Sequence, residues 1–195
     1  MDGGSAGRDT RQQHRAIRWE ETMLELIPPT VRLRDAWWEA HAEWGPGTHE
    51  DGFGLQPSDD VHTTGGFIAW LHRLDSKSGP GRDGQTRDRA ILRWIVEDDR
   101  VLGGVALRHG PEQYVQWAGH IGFGVRPSER RRGIATWALG RILDLATEQG
   151  MKYVRLVCAA DNLASAATIE HYGAVLETIV DSDDGPARRY GIQLR

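Results

Sequence analysis

A mixed α/β fold, one sheet with helices packed on it, is what the order of hydrophobic periods predicts. Apolar residues recur at helical spacing between residues 33 and 74, then follow strand-like patterns between 90 and 125. A second helical stretch, a nearly all-apolar segment, another helix and a closing hairpin complete the chain. No internal repeat interrupts that order.

The 195 residues suit one domain with a real core. We expect it to span 17–195 after a tail, 1–16, too polar to bury anything. A net charge of −4 gives no global basic field, so neither nucleic acid nor a membrane surface is an expected partner. No apolar run approaches the ~18 residues that span a bilayer. The polar start MDGGSAGRDTRQQHR lacks a signal-peptide core, and the single cysteine excludes an internal disulfide. Cytoplasm is the expected compartment, and no metal is expected.

Met23 to Ile27 is a short strand ended by Pro28-Pro29. Thr30 can cap a helix that buries Leu33, Trp37, Ala40 and Trp44, stopped by Gly45-Pro46-Gly47. After a glycine-rich loop, Phe67, Trp70, Leu71 and Leu74 mark a second helix, followed by the flexible connection 76–87. Ala90–Glu97 and Val101–Arg108 read as a hairpin, and Trp117–Val125 as the next strand. The helix from Gly133 to Glu148 buries Ala135, Ala138, Leu139, Ile142, Leu145 and Ala146. Its Trp137 falls on the Arg141, Asp144 and Glu148 side, which suggests partial exposure or a contact. Tyr153–Ala159 reads as a strand covered on both faces. A short helix from Asn162 to His171 and a hairpin of Val175–Val180 with Arg188–Leu194 close the chain.

The chemistry concentrates in Gly119 to Gly150, above all in Arg130-Arg131-Arg132-Gly133-Ile134-Ala135. A helix start leaves its first N–H groups without intrahelical partners and carries a partial positive charge. Gly133 lets that backbone approach an anion closely, and the arginines supply planar donors suited to phosphate oxygens. The residues therefore predict a phosphate-bearing ligand at a strand-to-helix turn. Glycines 119, 122 and 124 in the preceding strand point to a bulge or a close approach of another chain or ligand.

Arg130-x-x-Gly133-x-Ala135, with Val125-Arg126-Pro127 before it and Asn162 and Glu170-His171-Tyr172-Gly173 after it, resembles the GCN5-related N-acetyltransferase (GNAT) family over residues 90 to 195. The resemblance implies a central, mostly antiparallel sheet with a parallel pair at the cofactor cleft, flanked by about four helices. It implies acetyl-CoA or another acyl-CoA as co-substrate, its pyrophosphate on the loop and helix start: Arg130, Arg131, Arg132, Gly133, Ile134, Ala135 and Thr136. The pantetheine arm would run beside Phe123, Gly124 and Val125, with Asn162 and Ser165 at the other side. The expected reaction is direct attack of a small-molecule amine on the thioester, with a backbone N–H near Gly124 or Val125 holding the oxyanion.

An alkylammonium, with a pKa of about 10, must lose its proton before attack. His120, on the cofactor strand, is the first candidate base; the other reading is a histidine hydrogen-bonded at the strand's start. Glu112 and His109 are weaker candidates. The family's usual acid is a tyrosine seven residues after the asparagine, which here is Ile169. Tyr172 is the substitute candidate, or else an aromatic packed at the helix end. Cys158 in its apolar strand reads as a small core residue before it reads as a nucleophile. The missing tyrosine leaves open a non-catalytic acyl-CoA binding or sensing domain, as well as another acyl donor or a hydroxyl acceptor. A homodimer is also compatible with the sequence.

Overall fold

The computed structural model describes residues 23–45, 54–78, 89–109, 112–182 and 185–195. They form a mixed α/β unit with seven strands: β1 (Glu25–Ile27), β2 (Arg89–Glu97), β3 (Arg100–His109), β4 (Ile121–Val125), β5 (Tyr153–Ala159), β6 (Val175–Ser182) and β7 (Gly185–Gln193). The helices are α1 (Arg34–Trp44), α2 (Thr64–Ser78), α3 (Glu112–Ala118), α4 (Ile134–Glu148) and α5 (Leu163–Glu170). The expected tail at 1–16 lies outside the described residues, as do most of the connection at 76–87 and the tip of the last hairpin.

The strand order is β1-β2-β3-β4-β5-β7-β6, antiparallel throughout except for the parallel neighbours β4 and β5. Alternation along the strands separates two cores. Leu92, Trp94 and Ala106 pack with Trp37, Phe67 and Trp70 of α1 and α2. Val105, Leu107, Ile121, Val154 and Leu156 pack on the other face with Leu139, Ile142, Ala166 and Ile169 of α4 and α5. The tryptophans expected in helix cores are there: Trp37 and Trp70 are fully buried, and Trp44 packs beside them half-buried. Trp137 is half-buried against Ile134 and Ala138.

Three sequence expectations need correction. The strand expected over Trp117–Val125 is two elements, because α3 takes Glu112–Ala118 and β4 begins only at Ile121. Pro111 just before the helix and Glu112 in its first turn are the helix-start signals that Val115 and Trp117 outweighed in a strand reading. This raises the helices described to five. β5 is not covered on both faces, since Val154 and Leu156 are buried while Tyr153, Arg155 and Val157 are half-buried. In α4 the buried set includes Ile134 and Leu143, and Ala135 and Leu145 are only half-buried.

Candidate active site

The segment between β4 and α4 makes a tight single turn over Pro127–Glu129 and then enters the helix through two left-handed residues, Arg131 (φ 63°) and Gly133 (φ 78°). Alternating hand in successive residues turns their N–H groups toward one side, as in an anion-binding nest. Among the described residues, no carbonyl or side chain accepts from the N–H groups of residues 131 to 136; the first helical bond runs from Trp137 N to Gly133 O at 2.9 Å. Six consecutive backbone donors are thus open at the start of a 15-residue helix.

The arginines of this loop divide their work. Arg126 is only 3% exposed, and its guanidinium donates to Glu43 (2.8 Å from Nε), Glu39 (2.7 Å) and the Val101 carbonyl (3.3 Å). Glu43 in turn accepts from the backbone N–H and the hydroxyl of Ser128, both at 3.1 Å. The hydrogen bond from Arg126 holds the Glu43 carboxyl down at about 2, against desolvation that would raise it. Arg132 pairs with Glu97 and Glu129, and Arg100 also pairs with Glu129, keeping the Glu129 carboxyl below its ordinary range. The side chain of Arg132, which the resemblance set at the pyrophosphate, is therefore committed to internal carboxylates, as is that of Arg126. Arg130 donates from Nε to the Val125 carbonyl (3.0 Å) and lies over the Trp44 ring, while Arg131 is exposed. Among the described residues Arg130 and Arg131 are the arginines of this loop without a carboxylate partner.

Beside this loop the sheet opens. β4 and β5 share one residue pair, Ile121 with Leu156, and beyond it each strand pairs only with its outer neighbour. His120 O accepts from Arg108 N, and Arg126 N donates to Leu102 O. Antiparallel alternation then turns the backbone groups of Gly122 and Gly124 toward β3 and those of Phe123 and Val125 into the gap. Of the two residues expected to offer an oxyanion donor, Val125 thus has its N–H on the open side and Gly124 does not. Across the gap, Asn162 caps α5 by accepting from Ser165 N at 3.0 Å. Its amide NH2 is uncommitted among the described residues.

The two candidate catalytic side chains are both engaged. His120 Nδ1 accepts the backbone N–H of Arg155 at 2.8 Å, and His120 N donates to Arg155 O at 2.7 Å. A neutral imidazole accepting at Nδ1 carries its proton on Nε2, so accepting a substrate proton would require the ring to release Arg155. Tyr172 donates its hydroxyl to the Thr136 carbonyl at 2.8 Å, bracing the end of α5 against the first turn of α4. Gly140 makes room for it, since a Cβ there would stand 2.4 Å from that hydroxyl oxygen. Ile169, at the family's tyrosine position, is core. Cys158 is half-buried, and desolvation pushes its thiol up, away from the thiolate that a nucleophile needs. His109 ends β3 and Glu112 begins α3.

A cavity of about 680 Å³ opens on the sheet face away from α4 and α5. Trp117 and Ala118 of α3, Val157 to Ala159 of β5, the ends of β6 and β7, and Arg189 line it. Sequence reasoning missed this site, because the α3 wall was read as strand. Among the described residues no helix is long and apolar enough to cross a membrane. Nor do they hold a group of three or more His, Cys, Asp or Glu side chains placed to bind a metal ion.

The model of the acetyltransferase (GNAT) family matches residues 32–174. The chain belongs to that family. Solved acetyltransferase structures share its fold. A microcin self-immunity acetyltransferase in complex with acetyl-CoA and AMP has a TM-score of 0.62 at 14% identity, over 87% of this chain and 92% of that one. The Salmonella typhimurium acetyl transferase that modifies the N-terminal serine of a 50S ribosomal subunit protein has a TM-score of 0.62 at 16% identity, over 89% and 96%. Mycobacterium smegmatis RimJ in complex with CoA-disulfide has a TM-score of 0.61 at 21% identity, over 87% and 81%. No curated protein matches the chain by sequence.

Proposed function

We propose that this GNAT protein transfers an acetyl group from acetyl-CoA to the amine of a small molecule, the amine attacking the thioester directly. The observation that carries the reading is the run of open N–H groups at 131 to 136 beside a strand pair that parts. When bound, acetyl-CoA supplies an acyl group already activated as a thioester. The loop amides and Arg130 and Arg131 hold the pyrophosphate. Phe123 and Val125 offer the edge along which the pantetheine arm pairs as an added strand, and the Asn162 amide meets it from the β5 side. The Val125 N–H is placed to hold the oxyanion, a role worth about 3 kcal/mol. Tyr172 positions the helix that carries the loop. His120 serves as the base only by giving up Arg155; otherwise the amine sheds its proton to water.

A second reading, a non-catalytic acyl-CoA binder, draws on the engagement of both Tyr172 and His120 and on Ile169 at the acid position. Incubation with acetyl-CoA, a panel of amines and a thiol reagent separates the two. Amine-dependent CoA release is expected; CoA binding without release across a broad panel would favour the binder. Gly133→Asp sets a Cβ and a negative charge at the left-handed helix entry, and CoA affinity is expected to fall on the order of 30-fold. Unchanged affinity would refute the phosphate cradle.

A further inference from the structure

The cavity under α3 carries a charge that nothing among the described residues answers. Arg189 lines it from β7, opposite Val157 of β5. Among the described residues its Nε is buried without a hydrogen-bond partner, and no carboxylate reaches ion-pair distance of its guanidinium. Asp181 lines the same cavity without pairing to it. Arg155, two residues along β5 on the same face, is answered by Glu177 at 3.6 Å. A second arginine approaches from the other side. Arg108 of β3 crosses over Gly122 of β4, where a Cβ would stand 2.8 Å from its guanidinium. Among the described residues its guanidinium makes one hydrogen bond, at 3.4 Å, to the carbonyl of Ala118, itself a cavity residue.

A half-buried guanidinium without an acceptor is costly, and a carboxylate or phosphate removes that cost by accepting two parallel bonds. The volume suits a small molecule, within the usual range of roughly 300–1,000 Å³. Trp117, 58% exposed at the cavity, offers an apolar face beside the charge. Val157 to Ala159 form one wall of the cavity and also the β5 side of the gap that opens past Leu156. A molecule in the cavity therefore lies alongside the strand that borders the acyl donor's path.

We infer that the acceptor amine carries an anionic group, a carboxylate or a phosphate, which Arg189 anchors with Arg108 at the cavity's edge. This rests on the acetyltransfer reading above and names the substrate class for it. The anionic group docks on the β7 side and leaves the amine facing the gap between β4 and β5.

Two measurements on the full chain test it. The first compares acetylation of matched amines: amino acids against their amides, and aminoalkyl phosphates against aminoalkyl alcohols. Preference for the anionic member is expected, arising in KM. Arg189→Ala should cut the anionic-to-neutral selectivity ratio about 10- to 100-fold, as loss of a charged hydrogen-bond partner does, and Arg189→Lys should restore part of it. The phosphate and carboxylate arms show which anion fits. Equal use of neutral amines, or acetylation confined to peptide N-termini, would overturn the inference while leaving acetyltransfer standing. The second uses the CoA-bound protein and calorimetry with N-acetylated amino acids and their amides. Anion-selective binding that Arg189→Ala weakens would uphold the anchor even in a chain that turns nothing over. Absence of selective binding in the unaltered protein would sink it.

Discussion

Arg126 and Arg189 are both set against the same sheet, and the fold treats them in opposite ways. Arg126 is enclosed by Glu39, Glu43 and the Val101 carbonyl, tying α1 to the loop that enters α4. Arg189 has no such partners among the described residues and lines a cavity. The same contrast holds for Arg132, bracketed by Glu97 and Glu129, and Arg108, which meets one carbonyl. Carboxylates supplied from within fix the shape of the donor loop before any ligand arrives, so its open N–H groups are preorganised. Around the cavity the positive groups are in place and, among the described residues, the matching negative ones are not.

That contrast can be broken at either end. The largest effect is expected from Glu43→Ala, which leaves the enclosed Arg126 with the exposed Glu39 and the Val101 carbonyl. Removing the main carboxylate of a buried guanidinium, itself partly exposed to solvent, should cost roughly 1–2 kcal/mol in denaturant unfolding and weaken CoA binding as the loop loosens. A variant of unchanged stability would mean the network does not hold the loop. Arg131→Ala removes the exposed charge beside the open amides, and about a tenfold loss of CoA affinity is expected, with a shallower salt dependence. If salt dependence is unaltered, the charge at that position does not meet the phosphates. Smaller again is Tyr172→Phe, which removes the bond to the Thr136 carbonyl: about 1 kcal/mol of stability is expected, with no change in the pH–rate profile. A lost limb in that profile would instead make Tyr172 the acid.

The pH dependence sharpens the same comparison. The folded-state pKa of Glu43 lies near 2, below its ordinary 4.5, so its contribution to stability is complete above the ordinary value and drains as pH falls toward 2. Melting temperature should therefore drop over that acid window, and the drop should be smaller in Glu43→Gln. CoA binding near neutrality should not vary with Glu43 ionisation.

Much of the local geometry between β4 and α5 was legible in the sequence because its signals are local. The Arg130–Ala135 turn, the glycine-bearing strand and the Asn162 cap each depend on a few adjacent residues. What escaped was long-range or ambiguous in period. Glu39 and Glu43 stand one helical turn apart, a visible spacing, but nothing local says that Arg126, 83 positions from Glu43, will lie between them. The helix α3 is only seven residues long, and its valine and tryptophan suit a strand as well. With α3 unseen, the apolar run of β5 looked like interior on both sides, whereas one side lines the cavity. His120 stands just before β4 and is hydrogen-bonded there, as the second of its two readings had it; that its partner would be Arg155 was not legible.

The lone residue pair joining β4 to β5 also has a consequence for how the molecule holds together. The sheet contains a seam with two unprotected interior edges, each able to recruit a stray strand from another molecule. A ligand lying along that seam would act as a tie between the two half-sheets. The amides of Phe123 and Val125 should then exchange their hydrogens quickly in the free protein and slowly with CoA present. Stability should rise with CoA concentration, by about 2.7 kcal/mol at a hundredfold excess over its dissociation constant.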